Sequence, residues 1–148
     1  MLRVKLLAEG ARAPVVAHPG EDLGYDLFAL EAVELAPISL ARRSARVRTG
    51  IAVEARHPET GAALGLLVRD RSSMASHGIA VTGGVIDAGY RGEIQILLTN
   101  LTEIAFMIQA GDKIAQMIPV PVLTGAVTVV DELAESGRAE KGFGSWGR

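Results

Sequence analysis

The chain contains no cysteine, which removes disulfide staples, a thiol nucleophile and thiolate metal sites from consideration. Aromatics make up only 4% of its 148 residues, so a core must be built from Val, Ile, Leu and Ala. Side chains of that kind suit the two faces of a sheet better than a helical bundle. No apolar run approaches the roughly 18–20 residues that cross a bilayer. The opening MLRVKLLAEG interrupts its one apolar stretch with charge, unlike a signal peptide. A cationic excess is missing too: the net charge is −2, which argues against a dedicated nucleic-acid binder. His18, His57 and His77 show no metal-ligand spacing. These absences predict a soluble, cytoplasmic protein with no nucleic-acid and no membrane partner, and the length is about that of one domain.

Present instead are 17 glycines and 6 prolines, spaced between short runs of β character. The runs are RVKLL, YDLFAL, ARVRTGIAVEA, LGLLVRD, GEIQILLTN, KIAQMIPVPV and AVTVV. Alternation is clearest in Arg46-Val47-Arg48, Gln95-Ile96-Leu97 and Val127-Thr128-Val129. Many short strands with turns between them predict an all-β sandwich or jelly roll. Only residues 71–76 and 131–136 suit helices, each of about one turn. Arg42, Arg43, Arg46 and Arg48 read as a solvated edge, with Arg46 and Arg48 on one strand face.

The stretch 137–148, GRAEKGFGSWGR, has no periodicity and is rich in glycine and charge. It reads as a flexible arm on a β domain spanning 1–136. A dozen extended residues reach about 40 Å, against a radius of gyration near 15 Å for a domain this size. The arm can therefore reach a neighbouring subunit. Gly142-x-Gly144-x-x-Gly147 matches the dinucleotide fingerprint in letters only, because no βαβ unit surrounds it.

Three segments carry candidate chemistry. Arg71-Ser72-Ser73, after the apolar run LGLLV, offers a guanidinium fork, two hydroxyls and the free N–H groups of a helical start. That is a phosphate cradle in outline, and equally the pattern of a helix N-cap. Thr82-Gly83-Gly84, between β-prone neighbours, predicts a tight hairpin, whose glycines would let main chain approach a flat ligand. Asp87 reads either as the first residue of an Asp-Ala-Gly turn or as a functional carboxylate. Gln116 lies alone in an apolar strand after the turn Gly111-Asp112-Lys113.

Taken in order, GYDLFAL, DRSSMA, GGVIDAGYRGEI, GDKIAQMI and GRAEKGFGSWG resemble the five motifs of the trimeric dUTPase family. The resemblance implies a jelly-roll homotrimer with active sites shared between subunits. It implies hydrolysis of dUTP to dUMP and pyrophosphate, which keeps uracil out of DNA and supplies dUMP for dTMP synthesis. By the same resemblance, the main chain of residues 81–86 (Thr82, Gly83, Gly84, Val85 and Ile86 among them) holds uracil. Tyr90 lies under deoxyribose, Gln95 borders the base, and Asp87 activates the water that attacks the α-phosphorus. Arg71, Ser72, Ser73 and Gln116 take the triphosphate together with Mg²⁺. That ion is held without direct protein ligands, with Asp26 and Gln116 in its outer shell or Asp26 purely structural. Arg138, Phe143, Gly144 and Ser145 belong to the arm that closes over the nucleotide.

The sequence departs from the family pattern at Asp70, where proline is usual, at Arg138-Ala139-Glu140-Lys141, and at Trp146. Two alternatives share the fold: a dCTP deaminase and a nucleotide-gated binding module. The deaminases need a glutamate ten residues beyond the Ile-Asp-x-Gly aspartate, and Leu97 stands there.

Overall fold

In the computed structural model, which describes residues 1–41 and 44–136, the β-prone runs become short strands. They are Leu2–Leu6 (β1), Tyr25–Phe28 (β2), Val33–Leu35 (β3), Ala45–Arg48 (β4), Ile51–Ala55 (β5) and Leu64–Arg69 (β6). A single helical turn, Ser72–Ser76 (α1), precedes Ile79–Thr82 (β7), Val85–Ile86 (β8), Gln95–Asn100 (β9), Phe106–Ile108 (β10) and Lys113–Pro121 (β11). All the ladders are antiparallel: β2-β11-β6-β8, β4-β9-β7, and the pairs β1-β5 and β10-β3. The all-β expectation holds. No helix among the described residues is long and apolar enough to cross a membrane.

The core follows from the period of two. In β9, Ile96, Leu98 and Asn100 point inward while Gln95, Leu97 and Thr99 stay half-buried on the other face. Asn100 is tolerated inside because its amide donates to the Leu35 and Ile104 carbonyls and its oxygen accepts from Thr102. In β11 the pairing with β2 slips between Lys113 and Ala115. This bulge buries two consecutive residues, Ile114 and Ala115, and reverses the parity of the strand before it. Lys113 thereby reaches the same side as Gln116.

Four expectations need correction. The AVTVV run forms no strand: Val127 and Val129 are 91% and 93% exposed, with no partner strand within the described chain. Residues 131–136 form no helix. The run ARVRTGIAVEA is two strands, β4 and β5, in different sheets. Finally, Thr82-Gly83-Gly84 is not a hairpin. Strand β7 pairs with β9 and β8 with β6, so the segment is a corner that carries the chain from one sheet to another. Strands β3 and β10, three residues each, were too short to register as periodic.

Candidate active site

The corner exists because two backbones touch there. Gly83 takes φ +62°, and the Val68 N–H donates to the Gly84 carbonyl at 2.7 Å. A Cβ on Gly84 would lie 2.2 Å from the Val68 carbonyl oxygen, so only glycine permits this approach. The corner leads into a cleft lined by Arg46, Gly83, Val85, Ile86, Asp87, Tyr90, Glu93, Gln95 and Leu97. Expected residues of the third motif are thus brought to one place.

Within the cleft, the Tyr90 N–H donates to the Asp87 carbonyl at 2.9 Å, so the main chain at Asp87 does open a turn. Its carboxylate is exposed and has no hydrogen-bond or ion-pair partner among the described residues. The Tyr90 ring folds over Gly92, where a Cβ would sit 2.4 Å from the tyrosine Oη, and its hydroxyl donates to the Glu93 carbonyl. Glu93 is the tie beneath: it accepts from Arg48 Nε at 3.1 Å, the Gly50 N–H at 2.9 Å and Gln95 Nε2 at 3.2 Å. Burial pushes its carboxyl up, but those three donors outweigh burial and hold it below the ordinary value.

Charged groups of the first, second and fourth motifs gather elsewhere. Asp26, on β2 opposite Gln116, accepts from Arg71 Nε and from Lys113 Nζ, each at 2.8 Å. Arg71 Nη1 also donates to Ser73 Oγ at 3.1 Å. The Gln116 amide donates to the Asp70 carbonyl at 2.8 Å. Gly24, Asp26, Arg71, Ser72, Lys113 and Gln116 line one hollow, with His18 and Asp22 at its side. The N-cap reading of Ser72 fails: Arg71 is the N-cap of α1, and no side chain caps it.

Among the described residues, none lines both the cleft and the hollow. One chain therefore brings most of the base-side candidates together, and separately Arg71, Ser72 and Gln116 of the phosphate-side ones, with Ser73 outside the hollow's lining. Thr82 does not line the cleft; its hydroxyl bonds to Ser44 Oγ at 3.0 Å. The side chain of Asp70 accepts from the Val81 N–H, directed at the corner rather than into the hollow. Arg42, Arg43, Arg138, Phe143, Gly144, Ser145, Trp146 and the arm 137–148 lie outside the described residues. Sequence reasoning missed Lys113 and Glu93. The bulge that turns Lys113 to Asp26 leaves no signature in the letters, whereas the charge of Glu93 directly after the glycine under Tyr90 was a usable signal.

Comparison with known proteins covers both places. A family model described as dUTPase matches residues 13–147. The deoxyuridine 5'-triphosphate nucleotidohydrolase of Clostridium novyi is 44% identical over 149 residues, covering 99% of this chain and 98% of that protein. The dUTPase of Staphylococcus bacteriophage 80alpha, solved with dUPNHPP, is similar with a TM-score of 0.85 at 33% identity, over 100% of this chain and 99% of that one. A mutant dUTPase from phage phi11 of S. aureus, solved for the coordination of a structural Mg(II) ion, has a TM-score of 0.74 at 31% identity, covering 89% and 97%. Cleft and hollow alike fall inside the matched span, and the chain belongs to the dUTPase family.

Proposed function

We propose that this chain hydrolyses dUTP to dUMP and pyrophosphate, with water attacking the α-phosphorus and Asp87 as the general base. The observation that carries the reading is the Asp87 carboxylate itself, exposed in the cleft beside Tyr90 and without a partner among the described residues. A carboxylate not already neutralised can take a proton from an attacking water, a contribution typically of about 10²–10⁴-fold. Positioning and charge neutralisation supply the rest.

Base selection falls to the main chain of residues 81–86. Uracil offers an N3–H donor beside O4, and cytosine an acceptor beside an amino group. Exchanging them would leave buried backbone groups unpaired, at about 1–3 kcal/mol each. Tyr90 lies under the deoxyribose and Gln95 borders the base. Leu97 argues against deamination: where the deaminases need a proton-shuttling glutamate, an apolar side chain packs on the corner at Gly83.

Arg71, Ser72, Ser73 and Gln116 take the triphosphate. Among the described residues no three His, Asp or Glu side chains form a metal cluster, and the Asp26 carboxylate is engaged by Arg71 and Lys113. That donor set fits a Mg²⁺ ion arriving with the triphosphate and keeping much of its water, with Asp26 and Gln116 in its outer shell. Magnesium, when bound, neutralises charge on the phosphate oxygens.

The separation of cleft from hollow supports a homotrimer in which one subunit's hollow faces another's cleft. The chain after β11 supports it as well: Leu123, Val127, Val129 and Leu133 all stand nearly fully exposed on a single subunit, an apolar segment that a partner surface would cover. Arg138, Phe143, Gly144 and Ser145 of the following arm then close over the nucleotide and exclude water. A cytoplasmic setting fits this substrate.

The test is pyrophosphate release with Mg²⁺ from dUTP, dCTP, dTTP and UTP in parallel, with ammonia followed in the same wells. Release from dUTP alone is expected. Ammonia from dCTP would move the chain to deamination, and silence on all four to a binding role.

A further inference from the structure

We infer that Asp70 is a positioning residue for base recognition, its carboxylate fixing the corner at residues 81–84 in a way that the proline usual at this place in the family does not. The inference rests on the proposed reading of that corner as the segment that holds uracil.

Strand β7 is the edge of its sheet. The Leu101 N–H donates to the Gly78 carbonyl, and the alternation of an antiparallel ladder then turns the Val81 N–H away from β9, toward the open edge. An edge N–H normally goes to water. Here it donates to Asp70 Oδ1 at 2.5 Å, from a residue that is half-buried at the end of β6. Two further attachments hold the same corner. The Gly84 carbonyl accepts from the Val68 N–H on β6 at 2.7 Å. The Thr82 hydroxyl bonds to Ser44 Oγ at 3.0 Å, which in turn bonds to Thr99 Oγ1 at 2.7 Å.

The three attachments are not equivalent. Gly84 is held by main chain and Thr82 by an exposed hydroxyl pair. Asp70 supplies the one side-chain acceptor of the three that takes a main-chain N–H of the corner. Its main chain is fixed as well, since its carbonyl accepts from Gln116 Nε2. The carboxylate therefore reaches Val81 from a residue held on its other side. Recognition by main-chain groups depends on where those groups point, so a corner free to shift loses affinity and selectivity together. Proline has no side-chain acceptor. Asparagine retains one at the same atom.

Asp70→Ala and Asp70→Asn separate these possibilities, with steady-state kinetics on dUTP and dCTP and amide hydrogen exchange on the nucleotide-free protein. In Asp70→Ala the KM for dUTP is expected to rise on the order of tenfold, with kcat within about threefold and the dUTP-over-dCTP preference reduced. Exchange across residues 79–84 should quicken. Asp70→Asn should stay close to the parent in all of these. The inference is overturned if Asp70→Ala keeps the parental KM and preference, if it loses equally toward both nucleotides, or if asparagine fails to rescue. Should the parent not turn over dUTP, the functional reading falls. The exchange data then still decide: corner protection unchanged in Asp70→Ala overturns the clamp.

Discussion

Replacing Gly84 by alanine tests the corner most directly. The added Cβ would meet the Val68 carbonyl oxygen at 2.2 Å and its carbon at 3.1 Å. Both are backbone atoms, so no rotamer change can relieve the contact. Restoring ordinary van der Waals separation requires the two chains to part by roughly 1 Å. The hydrogen bond from the Val68 N–H to the Gly84 carbonyl, 2.7 Å in the native corner, cannot survive that displacement. Losing it in a buried setting costs about 1–3 kcal/mol, and the forced expansion about 1–3 kcal/mol more. At about 2–4 °C per kcal/mol for a chain of this size, the melting temperature should fall by at least about 4 °C. Protein concentration must be held fixed, because the proposed trimer would make the midpoint concentration-dependent. The KM for dUTP should rise together with the loss of stability. Gly89→Ala is the control, since a Cβ there would meet nothing within 4 Å; it should leave the midpoint where it was. A Gly84→Ala protein with parental midpoint and KM would refute the close-approach argument.

Asp87→Asn should lower kcat by about 10²–10⁴-fold while binding of a non-hydrolysable dUTP analogue stays within a few-fold; turnover close to the parent's would sink the general-base assignment. For Glu93, the folded pKa lies below the ordinary 4.5, so its ionised form stabilises the fold above about that pH, and the contribution is lost as pH falls through the folded value. Glu93→Gln should accordingly be less stable at pH 7, by about 1–3 kcal/mol, with the gap to the parent narrowing below pH 4.5; a gap independent of pH would count against the ionised tie. Changing Val127 and Val129, which stand exposed on one chain, to aspartate should reduce the mass seen by light scattering, and a parent already monomeric would overturn the trimer.

Most strands were legible because their alternation is local: in β9, Ile96 and Leu98 are buried and the polar Gln95 and Thr99 are not. What stayed hidden depends on partners distant in the chain. Thr82-Gly83-Gly84 has the composition of a hairpin, and only the approach of Val68 makes it a crossing between sheets. Val127-Thr128-Val129 alternates as well as any strand, yet no described strand of the same chain pairs with it. Lys113 has the wrong parity for its role until the bulge corrects it. Of the expected site residues, Asp87, Tyr90 and Gln95 share the cleft and Arg71, Ser72, Asp26 and Gln116 the hollow, whereas Ser73, Thr82 and Gly84 line neither and Arg138, Phe143, Gly144 and Ser145 lie outside the described residues.

The plain and the functional readings of these residues turn out not to compete, because they concern different atoms. Asp87 opens a turn with its carbonyl, which accepts from the Tyr90 N–H, and that leaves the carboxylate uncommitted. Asp70 accepts from Gln116 with its main chain and from Val81 with its side chain. Arg71 caps α1 with its backbone while its guanidinium pairs with Asp26 across the hollow. A side-chain atom spent on local structure is not free for chemistry. The residues most available for function are therefore those whose local role is discharged by the main chain or that keep a further polar atom, as Gln116 keeps its Oε1 when Nε2 donates to Asp70. By that criterion Ser72 gains as a phosphate ligand from not capping α1. Thr82, whose hydroxyl is committed to Ser44, is left to contribute its backbone alone.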